Sequence, residues 1–191
     1  MNDLATRPGK RERLVAAAAE LLHSQGVQRT TLAQVASLAD VPPGNVYYYF
    51  KSFAELVDAV IEQRRDEIRS VVASLEARRT PKARLKGLAE NWAASANMVA
   101  ASGCPIGSLL SELNKQHDGT TDHAAVMLRE LLDFLERQFR ELGRRDPAGL
   151  AQTMMARIQG AALLANTLND PGILRAEVRR IERWLDDVTE G

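Results

Sequence analysis

The side chains best suited to reading DNA stand together in one short stretch of the sequence, PGNVYYYFK, at residues 43–51. Asparagine can pair with an adenine edge through two hydrogen bonds, and tyrosine can bond phosphate or pack its ring on a thymine methyl group. A small core has no room for so many aromatic rings on one side of a short helix. We therefore predict that Asn45, Tyr47 and Tyr48 face DNA. Tyr49 is left open between DNA and packing, and Phe50 is expected in the core.

Positive charge that can hold phosphate lies on both sides of this stretch. Lys10 and neighbouring arginines precede it, and Lys51 follows it directly. The whole chain balances 25 Lys and Arg against 25 Asp and Glu, so any nucleic-acid footprint has to be local. Arg13 is equally consistent with a solvated face. Thr31 and Gln34 begin the preceding helix and are expected to touch the DNA backbone at most.

The single cysteine, Cys104, has two interpretations that the sequence leaves open. A free buried cysteine usually behaves as a small hydrophobic residue. The position of Cys104 after Gly103, ahead of a predicted helix, instead favours a lowered pKa of the thiol and a sensor of electrophiles or oxidants.

No other cluster of side chains predicts chemistry. His117, Asp118, Asp122 and His123 carry metal-ligating groups, but they lie in a polar loop without a second group of Cys or His. We interpret them as a solvated loop and predict neither a metal nor a cofactor. The sequence has no Ser-His-Asp constellation, phosphate-binding loop or dinucleotide fingerprint, so we expect no enzyme activity.

The composition indicates what kind of fold has to position these residues. Aromatic residues make up only 5% of the chain, and runs of alternating β-branched residues are absent, which predicts an all-α fold. The first residues resemble no signal peptide, and a lone cysteine fits a reducing compartment, so a cytoplasmic location is expected. Residues 91–111 are uncharged but too polar and too broken by Gly and Pro to cross a membrane, so no membrane partner is expected.

Periodicity, capping residues and breakers predict nine helices. They cover residues 8–24, 31–40, 43–49, 52–79, 81–101, 106–114, 122–142, 146–169 and 171–189. The second and third helices are close enough to form a helix-turn-helix, whose second member enters the major groove. We divide the chain into a DNA-binding domain, residues 1–52, and a helical effector-binding and dimerisation domain, residues 53–191.

Residues 30–56, TTLAQVASLADVPPGNVYYYFKSFAEL, resemble the Tet-repressor family. The shared pattern is a threonine-capped helix, a tyrosine-rich helix opened by Pro43 and Gly44, a further aromatic residue and a capped long helix. The resemblance implies a homodimer that binds two operator half-sites, with Pro43 and Gly44 in the DNA-binding surface, and a variable C-terminal domain for effector and partner subunit. Phe53 stands where the family commonly has lysine, and Ala33 where some relatives have a base-reading arginine, so the operator does not follow from the resemblance.

An effector pocket is predicted in the middle of the chain. Residues 103–113, GCPIGSLLSEL, resemble a segment near the effector pocket of some members of the same family. Apolar side chains around it favour a cavity for a small apolar molecule. They are Trp92, Met98, Val99, Cys104, Ile106, Leu109, Leu110, Met127 and Leu131. An ordinary packed core is the alternative for each of them.

A dimer interface is predicted on the last two helices. The run IQGAALLANTLN, residues 158–169, contains small residues that allow another helix to approach closely. Two such helices from each subunit would form a four-helix bundle. The predicted interface residues are Ile158, Gly160, Ala161, Ala165, Ile181 and Trp184. Burial within one chain is the alternative.

Together these features predict a repressor that binds a palindromic operator as a homodimer and is released by a small-molecule effector. The fourth helix is shared by both domains, so a rotation of this helix would change the separation of the two recognition helices of the dimer. The recognition helices would then no longer fit half-sites about 34–36 Å apart. One alternative is a repressor that senses electrophiles through Cys104. Others are a helical enzyme or carrier without DNA function and a non-specific architectural DNA binder, which the zero net charge disfavours.

Overall fold

The computed structural model describes residues 8–115 and 120–190. Within them the chain forms ten α-helices and no strand. The helices are α1 (Lys10–Gln25), α2 (Leu32–Leu38), α3 (Pro43–Tyr49), α4 (Phe53–Glu76), α5 (Pro81–Ala94), α6 (Ala96–Ser102), α7 (Gly107–Asn114), α8 (Thr120–Glu141), α9 (Pro147–Thr167) and α10 (Pro171–Glu190). The predicted all-α fold, with a helix-turn-helix near the N-terminus and a helical C-terminal part, is confirmed.

Side chains that satisfy free backbone groups set where α2 and α4 begin. Thr31 accepts a hydrogen bond from the Gln34 N–H at 3.3 Å, and Gln34 Oε1 accepts one from the Thr31 N–H at 2.9 Å. Ser52 accepts from the Glu55 N–H at 3.1 Å. Both predicted caps are confirmed, although the Glu55 carboxylate accepts from the N–H of Lys51 rather than from that of Ser52.

The fifth predicted helix is two helices in the structure, so the prediction of one continuous helix over residues 81–101 was wrong, although its two ends agree within one residue. α5 and α6 meet at Ser95, where φ is −86° and ψ is 3°. The Ser95 hydroxyl donates to the Asn91 carbonyl at 3.2 Å, a local bond that competes with regular helix geometry. α6 then packs against α9, where the Asn166 amide donates to the Ala100 carbonyl at 3.1 Å.

The first three helices pack around a small apolar core. Leu14 and Ala18 of α1, Val35 of α2 and Val46 of α3 are all buried. Phe50, directly after α3, is 1% exposed, which confirms its predicted place in the core. Because residues 46 and 50 already anchor α3 to this core, most of the remaining side chains of α3 point outwards.

Two polar contacts join α1 to the segments around α7. His23 Nε2 lies 2.9 Å from the Gly103 carbonyl oxygen, between α6 and α7. The Val27 N–H, just after α1, donates to the Glu112 carboxylate of α7 at 2.7 Å. These contacts therefore couple the position of α7 directly to the C-terminal end of α1.

α4 connects the two parts of the chain and packs against α1, α5 and α8. Arg65 donates to Glu130 of α8 at 2.8 Å, and Arg69 donates to the same carboxylate at 3.2 Å. Hydrogen bonds to Glu130 and Glu62 raise the pKa of the Arg65 guanidinium. α4 and α8 are thus held as one unit by charge-assisted hydrogen bonds as well as by apolar packing.

The last three helices complete the fold by packing against one another, and α10 also covers α5. Their buried residues form one apolar cluster with those of α1 to α7. Since this cluster crosses the predicted domain boundary between residues 52 and 53, the two-domain division stays a prediction. No helix in the described ranges is long and apolar enough to span a membrane.

Candidate DNA-binding surface and ligand cavity

The recognition surface predicted on α3 is exposed in the structure. Tyr47 is 60% exposed and Tyr48 is 77% exposed, values that are unusual for rings of this size. Tyr49 is half-buried, and its ring meets that of Tyr48 edge to face at a centroid distance of 5.0 Å. The half-buried Tyr49 ring therefore packs against the exposed Tyr48 ring, which favours the packing interpretation for Tyr49.

Asn45 and Lys51 flank the exposed rings. The Asn45 side chain is half-buried, and no hydrogen bond to its amide occurs within the described residues. Lys51 is exposed, and its ammonium group donates to the Tyr47 carbonyl at 3.1 Å, at the C-terminal end of α3. The structure thus places an unpaired amide and a cation beside the two tyrosine rings, which is the set of groups that reads bases and holds phosphate.

Two of the arginines before α2 make contacts within the folded chain. Arg13 pairs with Asp40 at 3.4 Å, and the Arg11 guanidinium lies 5.2 Å from the centre of the Phe50 ring. Lys10 is exposed at the start of α1. Arg29, which the sequence analysis did not select, is exposed just ahead of α2. Its signal in the sequence was a basic side chain two residues before the capping Thr31.

The start of α2 combines a structural role with a free donor group. Thr31 and Gln34 are both exposed. Gln34 Oε1 accepts hydrogen bonds from Thr31 and from Gln25 Nε2, at 2.9 and 3.4 Å. Its side-chain N–H groups donate to no other described residue. A contact to the DNA backbone through these N–H groups therefore remains our prediction.

Gly44 lies in the first turn of α3 where the fold alone requires no glycine. It is exposed, as is Pro43, and a Cβ atom added to Gly44 would have no atom within 4 Å. Its φ is not positive either. A glycine that the folded chain does not need is explained if another backbone, such as the DNA sugar-phosphate chain, comes close to it.

We therefore expect Gly44→Ala to separate folding from DNA binding. Alanine is favoured over glycine in a helix, so the free energy of unfolding should stay level or rise by up to about 1 kcal/mol. Affinity for a bound duplex should fall, because the methyl group occupies the space that the DNA needs. Thermal melting and fluorescence anisotropy on the same preparation measure both quantities, and unchanged affinity would show that Gly44 lies away from the DNA.

A cavity of about 220 Å³ lies between α4, α5, the segment around α6 and α8. Five of the residues predicted for the effector pocket line it, namely Trp92, Met98, Val99, Ile106 and Leu131. The rest of the lining is Arg64, Glu67, Ile68, Val71, Leu88, Asn91, Ser95 and Pro105. The charged lining residues come from α4, a helix that was not assigned to the pocket from the sequence.

The other four predicted pocket residues do not line this cavity. Leu109 instead lines a very small void beside α1. Cys104 lines a separate groove with Gln159 and Asn166 of α9. Leu110 lines a further groove against α8, and Met127 is fully buried. Gly103, with a φ of +81°, ends α6 and redirects the chain, so residues 104 and 110 lie outside this cavity while residue 106 still lines it.

The environment of Cys104 opposes the thiolate interpretation. The side chain is 5% exposed, and burial raises the pKa of the thiol. Hydrogen bonds from the backbone of Gly107 and Ile106 and from the Gln159 side chain lower that pKa, but by less than burial raises it. The expectation of a pKa lowered by a helix N-terminus is therefore corrected, because desolvation of the charged form outweighs these donors.

We expect Cys104 to react slowly while the protein is folded. Modification by N-ethylmaleimide should be at least about tenfold slower than in urea-unfolded protein, since the buried thiol is protonated and shielded. Cys104→Ser, whose side chain has nearly the same shape, should bind DNA as wild type does. Equal rates in the folded and unfolded states would contradict this assignment and restore the sensor hypothesis.

Most of the predicted dimer-interface residues face inwards. Ile158, Ala161, Ala165 and Ile181 are buried within the single chain, so their predicted place at an intersubunit contact is corrected. Their stripe packs α9 against the neighbouring helices of the same chain. Trp184 is half-buried and meets the Phe139 ring edge to face at 5.9 Å between centroids.

The opposite face of α9 is apolar and exposed. Leu163, Leu164 and Leu168 are 66%, 53% and 63% exposed. Gly160 lies on the same face, with no atom within 4 Å of an added Cβ. Residues 160, 163, 164, 167 and 168 recur at helical spacing, and we call this uncharged strip the α9 stripe.

The possible metal-binding cluster falls largely outside the described part of the chain. His117 and Asp118 lie in the gap between the two described ranges. Asp122 and His123 belong to α8, but their side chains are not among those described.

Comparisons with known families agree with this arrangement. The family model described as bacterial regulatory proteins, tetR family, matches residues 14–60. A second model, tetracyclin repressor-like, C-terminal domain, matches residues 81–181, which is more than half of the chain. The two matches cover the helix-turn-helix and the cavity-lining parts of α5, α6 and α8, while the cavity-lining part of α4 lies between them.

Individual relatives are similar over shorter or longer stretches. The regulator TtgR of Pseudomonas putida is 42% identical over 52 residues, 27% of this chain and 25% of TtgR. The transcriptional repressor KstR2 of Rhodococcus jostii is 31% identical over 104 residues, 52% of this chain and 51% of that protein. These two alignments thus span about a quarter and about half of the relatives. The crystal structure of regulatory protein TetR from Rhodobacter sphaeroides matches 91% of this chain and 97% of its own, with a TM-score of 0.78 and 25% identity.

Proposed function

The chain belongs to the TetR family of bacterial transcriptional regulators, and from this we propose that it is a dimeric repressor released from its operator by a small molecule. The family consists of regulators, which are generally not enzymes. Operator binding is assigned to α3, dimerisation to the α9 stripe and effector binding to the cavity beside α4.

The observation that carries this proposal is the exposure of Tyr47 and Tyr48. Two adjacent aromatic rings in water contribute little to folding, and they lie on the second helix of a helix-turn-helix. Asn45 beside them offers an amide that bonds no other described residue, and Lys51 offers a cation at the end of the same helix. Sequence-specific binding to the major groove explains all four side chains together.

A dimer is proposed because one α3 reads only one half-site. Three leucines on the α9 stripe leave an apolar surface that a second copy of the helix can cover. Gly160 lets the two backbones approach, and the corresponding face lacks charges that would have to be desolvated. Two copies related by a two-fold axis would present their α3 helices to a palindromic site.

The route from cavity to DNA is proposed to run through α4. This helix contributes Arg64, Glu67 and Ile68 to the cavity and packs against α1 at its other end. Its ion pairs with Glu130 hold it to α8. A ligand that favours a second position of α4 would shift the separation of the two α3 helices and weaken operator binding.

Transcription in vitro tests the repressor assignment. A promoter that overlaps a site bound by the protein should give less transcript as protein is added, and a promoter with a scrambled site should be unaffected. Higher transcript from the intact site would make the protein an activator. Equal transcript from both templates would contradict regulation through this site.

A further inference from the structure

Arg64 gives the ligand cavity a chemical preference that the apolar lining alone does not predict. Its side chain is 20% exposed and lines the cavity together with the Trp92 ring. Within the described residues its guanidinium makes one hydrogen bond, from Nη1 to Glu67 Oε2 at 2.7 Å. The Nε–H and the Nη2 N–H groups therefore remain available to an acceptor in the cavity.

Glu67, the other charged lining residue, already has a hydrogen-bond donor on each oxygen. Its Oε1 accepts from Gln63 Nε2 at 3.0 Å, and its Oε2 accepts from Arg64. It is also more exposed than Arg64, at 47%. A cationic ligand meets a carboxylate whose charge is already paired with Arg64, whereas an anionic ligand meets guanidinium N–H groups that donate to no other described residue. The cavity therefore favours a negative group.

The remaining lining indicates the shape of the ligand. The buried part of the lining is apolar, and Asn91 and Ser95 add polar groups on the more exposed side with Arg64. The cavity volume of about 220 Å³ exceeds the roughly 150 Å³ of a cavity known to admit one benzene ring. One ring or a short alkyl chain with a polar head therefore fits.

From this geometry we propose that the effector is a small amphipathic carboxylic acid, whose carboxylate pairs with Arg64 while its apolar part lies against Trp92. The planar guanidinium can hold a carboxylate with two parallel hydrogen bonds. This inference rests on the proposed function, because it names the class of molecule that would release the repressor.

Arg64 is also placed to pass the signal on to the DNA-binding helices. Its side chain lines a second, very small void together with Leu22 and His23 of α1. His23 in turn contacts the Gly103 carbonyl. A carboxylate that draws the guanidinium towards the cavity would remove packing at α1, so acid binding and operator release would be linked.

The experiment compares 3-phenylpropanoate with the uncharged 3-phenylpropanamide and the cationic 3-phenylpropylamine, which share one skeleton. Binding to free protein is followed by calorimetry and by tryptophan fluorescence. The acid should bind at least about tenfold more tightly than the amide, because only the acid forms a charge-assisted pair. Equal affinities, preference for the amine or no binding of any of the three would overturn the proposal.

Variants locate the contact. Arg64→Met, which retains an unbranched apolar side chain, should weaken acid binding at least about tenfold and leave amide binding within about twofold. Glu67→Gln should bind the acid as tightly as wild type or more tightly. Arg140→Met removes an exposed arginine of α8 that does not line this cavity, and it should bind the acid as wild type does. Thermal melting checks that each variant is folded, and an unaltered acid affinity in Arg64→Met contradicts the assignment.

The two proposals fail separately because binding is measured without DNA. If the acid binds through Arg64 but no DNA is recognised, the ligand class stands and the repressor function falls. If DNA is recognised but none of the three probes binds, only the ligand class is wrong. When both hold, the acid should lower the fraction of duplex bound, and the amine should not.

Discussion

Replacing Leu163 and Leu164 with glutamate should turn the dimer into a monomer and reduce operator affinity by at least about a hundredfold. Four glutamates would meet across the two-fold axis of the proposed interface, with no basic residue within the α9 stripe to pair with them. Loss of the second α3 removes the gain in effective concentration that a linked pair of half-site contacts provides. Sedimentation velocity and DNA titration measure the two effects.

The monomer should stay folded, since both leucines are exposed and surface changes usually alter stability by less than about 0.5 kcal/mol. Ala73→Glu with Ser74→Glu provides the matched control, because it adds the same charge to an exposed part of α4. That control should remain dimeric. A dimer that survives the leucine replacements with full operator affinity would move the interface to another surface.

Asn45→Ala should narrow the difference in binding free energy between a cognate and a scrambled duplex by about 1–3 kcal/mol. Alanine removes the amide that can pair with a base edge, so affinity for the cognate duplex falls while the phosphate contacts persist. Lys51→Ala should act differently. It should weaken both duplexes and lower the slope of log K against log salt by about one, because one released counterion is lost.

Titrations of both duplexes at several salt concentrations distinguish these roles. Lys115→Ala removes an exposed lysine at the end of α7 and serves as the control for loss of one positive charge. It should leave both the specificity and the salt slope as in wild type. If Asn45→Ala weakens the two duplexes equally, Asn45 contacts the backbone and another side chain reads the bases.

Local features of the fold were predictable because they depend on neighbouring residues. Thr31 with Gln34 and Ser52 with Glu55 mark helix starts through contacts over three residues, and the structure contains both caps. The break at Ser95 was missed because serine within an apolar helix gives no distinct signal. Only the tertiary arrangement shows that α6 turns towards α9.

The two faces of α9 show why the sequence analysis assigned the dimer interface to residues that are buried within the chain. Ala161 and Ala165 lie on one apolar face, and Leu163, Leu164 and Leu168 lie on another, so periodicity alone does not say which face meets the same chain. The structure buries the face of small residues, because α8 and α10 pack closely against it. The larger side chains stay exposed, and the proposed interface is assigned to them.

The sequence predicted only part of the cavity lining, because proximity in sequence does not show which side chains meet in the folded chain. Trp92 and Ile106 were selected as apolar residues near a chain break, and both line the cavity. Arg64 was missed because a charged residue in a long helix usually faces water. Cys104 was assigned to the pocket because it is close in sequence to the lining residues. The chain changes direction at Gly103, so this closeness in sequence does not bring Cys104 to the cavity.

The most direct test of the whole account is to sequence the DNA that the purified protein selects from a random pool. The account predicts enrichment of one palindromic sequence, with two half-sites whose centres are one helical turn apart or a multiple of it. The enriched duplex should bind two copies of the chain and should be enriched less strongly when Asn45 is replaced with alanine. A pool that shows no enriched sequence, or a sequence without two-fold symmetry, would contradict the central claim that this chain reads DNA as a symmetric dimer.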